Sequence, residues 1–125
     1  MTAMSSGLPE ILRSAMRVEK QELAALMERH YRSNGWKVER REDGTVRAKG
    51  LGGVTWIGLP VVTTDLIDEQ FEARLLMLGE ERTPEGKRCP LELLPAPDCG
   101  DELRSLLRRL RLDERGHVEV YSTAG

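Results

Sequence analysis

The segment from Val54 to Val62 constrains the fold of this 125-residue chain more than any other. It reads Val-Thr-Trp-Ile-Gly-Leu-Pro-Val-Val, and apolar residues occupy both of its alternating faces. Because a strand with one solvated face carries polar residues at every second position, this pattern predicts a central strand over residues 54–61, covered on two sides. Trp56 is therefore expected to be mostly buried. Pro60 is expected to end the regular pairing, because proline lacks a backbone N–H.

Two shorter segments precede this strand and predict an antiparallel meander. Residues 36–42 alternate in polarity, and residues 45–49 return after Asp43-Gly44. The Asp-Gly pair favours a type I′ hairpin turn, in which both central residues have positive φ. Residues 36–42, 45–49 and 54–61 are therefore expected to form three consecutive antiparallel strands.

Helical periodicity predicts an N-terminal helix that starts near residue 8 and stops at Asn34-Gly35, or two helices with a bend between them. A second helix is predicted over residues 66–78, with Gly79 as its end. A third helix is predicted over residues 101–112, since leucines recur there on one face (Leu103, Leu106, Leu107 and Leu110).

The rest of the chain adds extended segments. Residues 80–94 are typical of two short extended segments around a turn at Pro84-Glu85-Gly86, and residues 117–121 alternate as a final strand. The predicted order is α-β-β-β-α-(β-β)-α-β. Because consecutive strands are joined by short turns, this order indicates an α+β fold with an antiparallel sheet rather than βαβ crossovers.

This order of elements, together with an isoelectric point near 5.8, resembles that of the small dimeric chaperones of secreted effectors. The resemblance covers about residues 20–112 and rests on the order of elements, not on a residue motif. The final strand departs from it. The resemblance implies a chaperone-like protein that binds another protein and forms a homodimer.

Length and composition indicate one domain over residues 8–122, between a flexible tail at 1–7 and a C-terminal tail at 123–125. Charged residues make up 32% and apolar residues 39% of the chain, which excludes collagen-like and mostly disordered classes. We find neither a signal-peptide pattern nor an apolar run of the ~20 residues that a membrane span needs. With its two cysteines, the chain is therefore expected to be cytoplasmic. Arginine predominates among the 19 basic residues, which favours a GC-rich bacterial source.

The residue pattern does not predict catalysis, a metal or a cofactor. Gly50–Gly53 precedes a strand rather than a helix N-terminus, which favours a flexible loop over a phosphate-binding loop. Cys89 and Cys99 lack the close cysteine pairs of zinc sites and are expected to be partly buried thiols. His30 and His117 lie on separate elements without a nucleophile motif. A small-molecule enzyme without a recognisable motif therefore ranks third among the functions considered.

A helix that carries Glu22 and Glu28, followed by a hairpin and a third strand, also resembles the cores of restriction endonucleases. Those cores hold a divalent metal with an acidic residue and a Glu-x-Lys motif on successive strands. The equivalent strand here, residues 54–59, has neither a carboxylate nor a lysine. Nuclease chemistry is therefore not expected.

Nucleic-acid binding without catalysis is the alternative function. Basic residues cluster on the predicted hairpin (Arg40, Arg41, Arg47 and Lys49), and Trp36 and Trp56 nearby could stack on bases. A second basic group, the row Arg104, Arg108 and Arg111, would contact phosphates in this function. Aromatic residues are only 4% of the chain and its net charge is −2, whereas a nucleic-acid-binding domain is usually basic. This function is therefore ranked second.

Charge is segregated along the chain. Residues 11–50 carry ten Lys/Arg and six Asp/Glu, residues 51–102 carry four and eleven, and residues 103–125 carry five and three. Such basic and acidic regions can guide binding to a partner or to a second copy of the chain.

Arg104, Arg108 and Arg111 recur on the helix predicted over 101–112 and are expected to form one exposed row. Their pairing with Asp101, Asp113 or Glu114 is the structural alternative. The leading prediction is a non-enzymatic protein-binding domain, such as an adaptor, chaperone, immunity or accessory protein. Its arginine row would dock an acidic surface, either on a partner or on residues 65–85 of a second copy.

Overall fold

The computed structural model describes residues 10–121, which form helices on both sides of a five-stranded sheet. The helices are α1 (Glu10–Ser33), α2 (Thr63–Leu66), α3 (Phe71–Glu80) and α4 (Gly100–Arg109). The strands are β1 (Lys37–Arg40), β2 (Val46–Lys49), β3 (Thr55–Val61), β4 (Leu91–Pro95) and β5 (Val118–Val120). A short 3-10 turn, Leu51–Gly53, joins β2 to β3. The tails expected at residues 1–7 and 123–125 lie outside the described residues.

The fold is α+β, as expected, but its sheet is mixed rather than antiparallel. The strands lie in the order β1-β2-β3-β4-β5. The first three form the predicted antiparallel meander, whereas β4 is parallel to β3 and β5 is parallel to β4. The expectation of no βαβ crossovers was wrong, because α2 and α3 connect β3 to β4, and α4 connects β4 to β5. A crossover that returns the chain to the same end of the sheet makes the next strand parallel.

The segment predicted as two extended pieces over 80–94 divides differently. Residues 82–88 form a small hairpin outside the sheet, held by one bridge between Arg82 and Arg88. Only residues 91–95 join the sheet, as β4. Residues 91–95 join the sheet because they are mostly apolar, and all five are buried in β4. The hairpin residues Pro84–Arg88 are exposed.

The helices also correct the sequence-based boundaries. Of the two alternatives for the N-terminal region, the structure has the single helix, a continuous α1. The helix predicted over 66–78 is interrupted, because Asp68 accepts hydrogen bonds from the Gln70 N–H through its side chain, at 2.9 Å, and from the Phe71 N–H through its carbonyl. Gly79 does not end α3, which continues to Glu80.

The sheet separates two apolar cores, and β3 contributes to both, as its two-sided pattern predicted. One core lies under α1, with Leu23, Met27 and Tyr31 packed against β2 and β3. The other lies under α3 and α4 (Ile57, Leu59, Val61, Phe71, Leu75, Leu93, Leu103 and Leu107). At Gly58 the α1 side leaves no room for a side chain, since a Cβ there would lie 2.9 Å from the Tyr31 hydroxyl.

Pro60 does not end β3, which runs on to Val61. Backbone groups of alternate residues point to opposite edges of a strand. Ile57 donates its N–H to Pro90, on the side of β4, so the nitrogen of Pro60 faces the side of β2. The last residue of β3 that pairs with β2 is Gly58, so Pro60 lies beyond the end of β2 and its missing N–H costs no ladder bond.

The helix α1 ends at the predicted Asn34-Gly35 stop, and this ending determines the position of Trp36. Gly35 is left-handed at φ 80°, and the Trp36 N–H bonds the Tyr31 carbonyl at 3.4 Å. This is a Schellman ending, which brings the side chains of Trp36 and Tyr31 together at 6.0 Å between ring centres. Trp56, expected to be mostly buried, is half-buried and stacks on Trp36 at 5.1 Å.

The β1–β2 turn contains the predicted Asp43-Gly44 but is not of type I′. Gly44 alone in this turn has positive φ, at 88°, and its N–H bonds the Arg41 carbonyl at 3.0 Å. The Asp43 side chain accepts hydrogen bonds from the N–H and hydroxyl of Thr45, at 2.9 and 2.6 Å. With these bonds in place, Asp43 does not adopt the positive φ that a type I′ turn requires. The hairpin instead uses a longer loop with a left-handed glycine at its end.

Candidate functional site

The exposed face of α4 carries the first two residues of the predicted arginine row. Leu103, Leu106 and Leu107 are buried on the opposite face, as their spacing predicted. Arg104 and Arg108 lie one turn apart and are exposed. Arg108 donates a hydrogen bond to Ser105 at 3.1 Å. Within residues 10–121, neither arginine has a carboxylate oxygen within 4.0 Å, and the expected alternative pairing with Asp101, Asp113 or Glu114 is not among the ion pairs.

Arg111 does not continue this row, because α4 ends at Arg109. Arg111 is left-handed, with φ 60°, and the Leu112 N–H bonds the Leu107 carbonyl at 2.9 Å. The chain reverses at this Schellman ending so that Leu112 can be fully buried. Helical spacing alone could not anticipate that the apolar Leu112 would end the helix here.

We expect Arg111→Gly to stabilise the protein, by about 0.5–1 kcal/mol, because glycine adopts the left-handed conformation without a Cβ penalty. Arg111→Ala is the matched control, since it removes the same side chain and keeps the penalty. Urea unfolding of both variants should rank glycine above alanine. The reverse order would show that the backbone at this position is not strained.

A groove of about 270 Å³ lies between α4 and the outer strand β5. Arg104 and Arg108 line it on the helix side, and Val118 and Val120 line it on the strand side. Leu107 forms part of its lining between them, and Asp113 contributes a single carboxylate. The groove is therefore apolar at its base with two cations along one wall.

The outer edge of β5 carries backbone groups with no strand beside them in the part of the chain that the structure describes. His117 and Tyr121 direct their bonds to β4, through the His117 carbonyl and the Tyr121 N–H. Because alternate residues point to opposite edges, Val118 and Val120 present their carbonyls, and Val120 its N–H, away from β4. Such an edge is a template for one more strand.

The acidic region predicted to meet the arginine row, residues 65–85, has most of its carboxylates engaged within the chain. Asp65 accepts from Lys20 at 2.7 Å, Glu72 pairs with Arg109, and Glu80 pairs with Arg88 at 3.4 Å and with Arg115. Glu81 pairs with Arg47. Much of the segregated charge therefore stabilises contacts between elements rather than marking a free acidic surface.

The basic residues of the hairpin do not form one surface. Arg40 points toward α1 and pairs with Glu28 at 3.0 Å, while Arg41 pairs with Glu39 at 3.1 Å. Hydrogen bonds from Arg32 and then Arg40 lower the pKa of Glu28 despite an opposing effect of burial. Arg47 lies on the opposite face of the sheet from Arg40.

Arg47 was predicted as a partner-binding residue, and the structure instead buries it, with 6% of its surface exposed. Its guanidinium donates to Glu81 and to the Thr45 hydroxyl, the latter at 3.1 Å. Trp36 and Trp56 lie on the α1 face, across the sheet from Arg47. The predicted tryptophan–arginine platform is therefore not assembled at Arg47.

The cysteines and histidines are placed on separate parts of the fold. Cys89 belongs to the core under α3 and α4, and Cys99 to the core under α1. Burial is the main cause that raises the pKa of both thiols, that of Cys99 to about 11, so neither is a reactive thiolate near neutral pH. Both are buried rather than partly buried as expected. Among residues 10–121 we find no group of three metal-ligating side chains.

The structure buries a carboxyl group that the sequence analysis did not identify, that of Glu92 at the centre of β4. Only 4% of its surface is exposed. One of its oxygens accepts a hydrogen bond from the Tyr31 hydroxyl at 2.6 Å, and the other accepts one from Tyr121. Burial, followed by these hydrogen bonds, raises the pKa of both tyrosines. The alternation of Glu92 with leucines was the available signal, because it placed a carboxyl group inside a covered strand.

This network joins three elements, α1, β4 and the end of β5, with one phenol bound to each oxygen of the buried Glu92. A general base needs a free oxygen within reach of a substrate proton. Both oxygens of Glu92 are already occupied, so the arrangement is suited to holding α1 on the sheet rather than to proton transfer. His117 is likewise engaged, through Nε2 and the Gly79 carbonyl at 2.8 Å.

Comparison with protein-family models, curated proteins and solved structures finds no significant match to this chain. Across residues 10–121, no helix is both long and apolar enough to cross a membrane.

Proposed function

We propose that this protein is a non-enzymatic protein-binding domain that captures an extended acidic segment of a partner along the outer edge of β5. The observation that carries this proposal is the position of Arg104 and Arg108 beside that edge. An added strand would gain backbone hydrogen bonds from Val118 and Val120, while alternate side chains of the segment would reach the groove under α4.

Charge and geometry support an acidic, extended partner segment. Arginine forms two parallel hydrogen bonds with a carboxylate, and Arg104 and Arg108 have no carboxylate partner within residues 10–121. Alternate residues of a strand are about 6–7 Å apart, and one helical turn rises about 5.4 Å. Acidic side chains at every second position of the segment would therefore match the spacing of the two arginines.

A second copy of the chain is a weaker candidate for this edge. Two β5 edges paired with each other would bring the arginines of both copies into one neighbourhood, where like charges repel. The acidic residues of 65–85 that could compensate are largely paired within their own chain, and those on α3 lie in a helix rather than an extended segment. The partner is therefore proposed to be a different protein.

The proposal predicts binding of a ten-residue peptide in which glutamate alternates with valine, measured by fluorescence polarisation. Reversal of both charges, Arg104→Glu with Arg108→Glu, should weaken this binding at least about tenfold, because each charged hydrogen bond contributes about 1.5–3 kcal/mol. The same variant should gain affinity for a lysine–valine peptide. Circular dichroism and urea unfolding should be unchanged, since both side chains are exposed.

Two controls separate strand addition from simple charge attraction. A glutamate–valine peptide that is N-methylated at every residue keeps its charges but has no N–H on either edge to pair with β5, so it should not bind. The variant Lys37→Gln with Lys49→Gln removes two positive charges elsewhere and should bind the peptide normally. Equal binding of the methylated peptide, or formation of a dimer that the charge reversal leaves intact, would contradict the proposal.

A further inference from the structure

A second cavity, of about 310 Å³, lies at the other end of the sheet, on the side of α3. Its floor is formed by the face of β1 and β2 that points away from α1. Its wall is the segment from Glu81 to Pro84. Val38, Val46 and Ala48 pack under α1. Because side chains alternate along a strand, Lys37 and Lys49 point to the opposite face and line this cavity.

We propose that this cavity binds the phosphate group of a small phosphorylated ligand, with the Lys37 and Lys49 ammonium groups as its principal contacts. Both lysines are exposed and therefore accessible. The half-buried hydroxyls of Thr55 and Thr83 also line the cavity and supply further hydrogen-bond donors. The site is distinct from the β5 edge, and its existence does not depend on the proposed protein partner.

The charge balance of the cavity favours an anion with more than one negative charge. Five cations and two carboxylates line it: Lys37, Arg41, Arg47, Lys49 and Arg82, with Glu39 and Glu81. Both carboxylates are engaged, Glu39 by Arg41 and Glu81 by Arg47. Arg82 donates to the Gly86 carbonyl at 2.7 Å, which leaves its charge uncompensated. Three cations thus remain without a carboxylate among the described residues.

The register of the hairpin makes the lysine pair costly without a ligand. Lys37 lies directly opposite Lys49, on neighbouring strands and on the same face of the sheet. Like charges in this arrangement destabilise a sheet, because their Cβ atoms are about 4.5–5.5 Å apart. The next pair along, Glu39 and Arg47, has opposite charges. An anion placed between the two ammonium groups would convert the repulsion into two attractive contacts.

The size and chemistry of the cavity indicate a small phosphorylated ligand rather than a large cofactor. Ligand cavities typically span about 300–1,000 Å³, and this one is at the lower end. Lysine binds phosphate as a compact point charge with three donors. A phosphate monoester carries about 1.5–2 negative charges near pH 7, which matches the excess of cations better than a single carboxylate does.

The test uses the full-length protein with inorganic pyrophosphate, AMP and a ten-nucleotide oligothymidine as separate probes, at constant ionic strength. We expect saturable binding of pyrophosphate and AMP by isothermal titration calorimetry. Lys37→Gln with Lys49→Gln should weaken both at least about tenfold, because the variant removes the two charged hydrogen-bond donors to the phosphate. Arg104→Gln with Arg108→Gln is the charge-matched control and should bind both probes as the unmodified protein does.

The melting temperature without ligand shows whether the lysine variant is folded, so that a loss of binding can be separated from a loss of structure. Because the lysine variant removes a repulsion, it should melt at the same temperature as the unmodified protein or higher. Pyrophosphate should raise the melting temperature of the unmodified protein but not that of the lysine variant. Unchanged binding in the lysine variant, an equal loss in the arginine control, or no saturable binding of pyrophosphate or AMP would overturn the proposal. Binding of the oligothymidine alone would also overturn it and would favour a nucleic-acid interface.

Discussion

Tyr31→Phe is expected to lower the free energy of unfolding by about 1.5–3 kcal/mol, although it removes only one oxygen atom. Tyr31 is 1% exposed, and its hydroxyl is 2.6 Å from a carboxyl oxygen of Glu92, which is itself buried. A buried acceptor that loses its donor keeps the cost of desolvation without compensation. Urea unfolding followed by circular dichroism measures the change.

The control for this prediction is the same substitution in a protein that lacks the carboxyl group. In the background Glu92→Leu, Tyr31→Phe should cost much less, because no buried acceptor is left unpaired. Tyr121→Phe should cost less than Tyr31→Phe, since Tyr121 is only half-buried and water can approach its side of Glu92. Equal costs for Tyr31→Phe in both backgrounds would show that the hydrogen bond is not the source of the effect.

The same network predicts how stability depends on alkaline pH. Burial, and then the contact with Glu92, raise the pKa of Tyr31 in the folded protein above its ordinary value near 10. The folded state therefore retains a proton that the unfolded state releases above about pH 10. Stability from this group is present below about pH 10 and is lost as pH rises further, by about 1.4 kcal/mol per pH unit. The Tyr31→Phe variant should lose stability less steeply as the pH rises above about 10.

The sequence predicted the elements whose signals are local. The two-sided apolar pattern of residues 54–62 identified the central strand, because burial on both faces removes the polar alternation. The left-handed Gly35 and the leucines of α4 were likewise readable, since caps and helical faces involve residues within one or two turns. These signals need no knowledge of what the element packs against.

The direction of β4 and the buried polar contacts depend on residues far apart in sequence. A hairpin and a crossover can both connect β3 to β4, and only the packing of α3 against the sheet decides for the parallel arrangement. Tyr31 and Glu92 are 61 residues apart, and Arg47 and Glu81 are 34 apart. The charges of the hairpin were visible in the sequence, whereas the division of those charges between two faces required the register of β1 and β2.

The candidate sites were predictable to a similar extent. Arg104 and Arg108 could be assigned to an exposed helix face from their spacing, but their position beside a free strand edge depends on β5 following α4 in a parallel sheet. The opposition of Lys37 and Lys49 depends on the length of the β1–β2 loop, because a type I′ turn would have changed the pairing. Turn geometry thus controls which charges face each other.

Glu81→Ala is expected to cost about 2–3 kcal/mol, because it leaves the guanidinium of Arg47 buried without its carboxylate. The side chain of Arg47 is 7% exposed, and its next carboxylate, Asp43, is 3.8 Å away. Loss of one partner of a fully buried ion pair costs about 3–5 kcal/mol. The expected value is lower here because 38% of the Glu81 side chain is exposed, so water can screen the pair.

The neighbouring residue provides a matched control for this effect. Glu80 also pairs with arginines, Arg88 and Arg115, but its side chain is 48% exposed and those arginines are far more accessible than Arg47. Glu80→Ala should therefore destabilise the protein clearly less than Glu81→Ala does. In Glu81→Ala, a further change of Arg47→Met should restore part of the loss, since an apolar side chain of similar length needs no counter-charge. If Glu80→Ala and Glu81→Ala cost the same, burial of Arg47 would not be what gives the pair its strength.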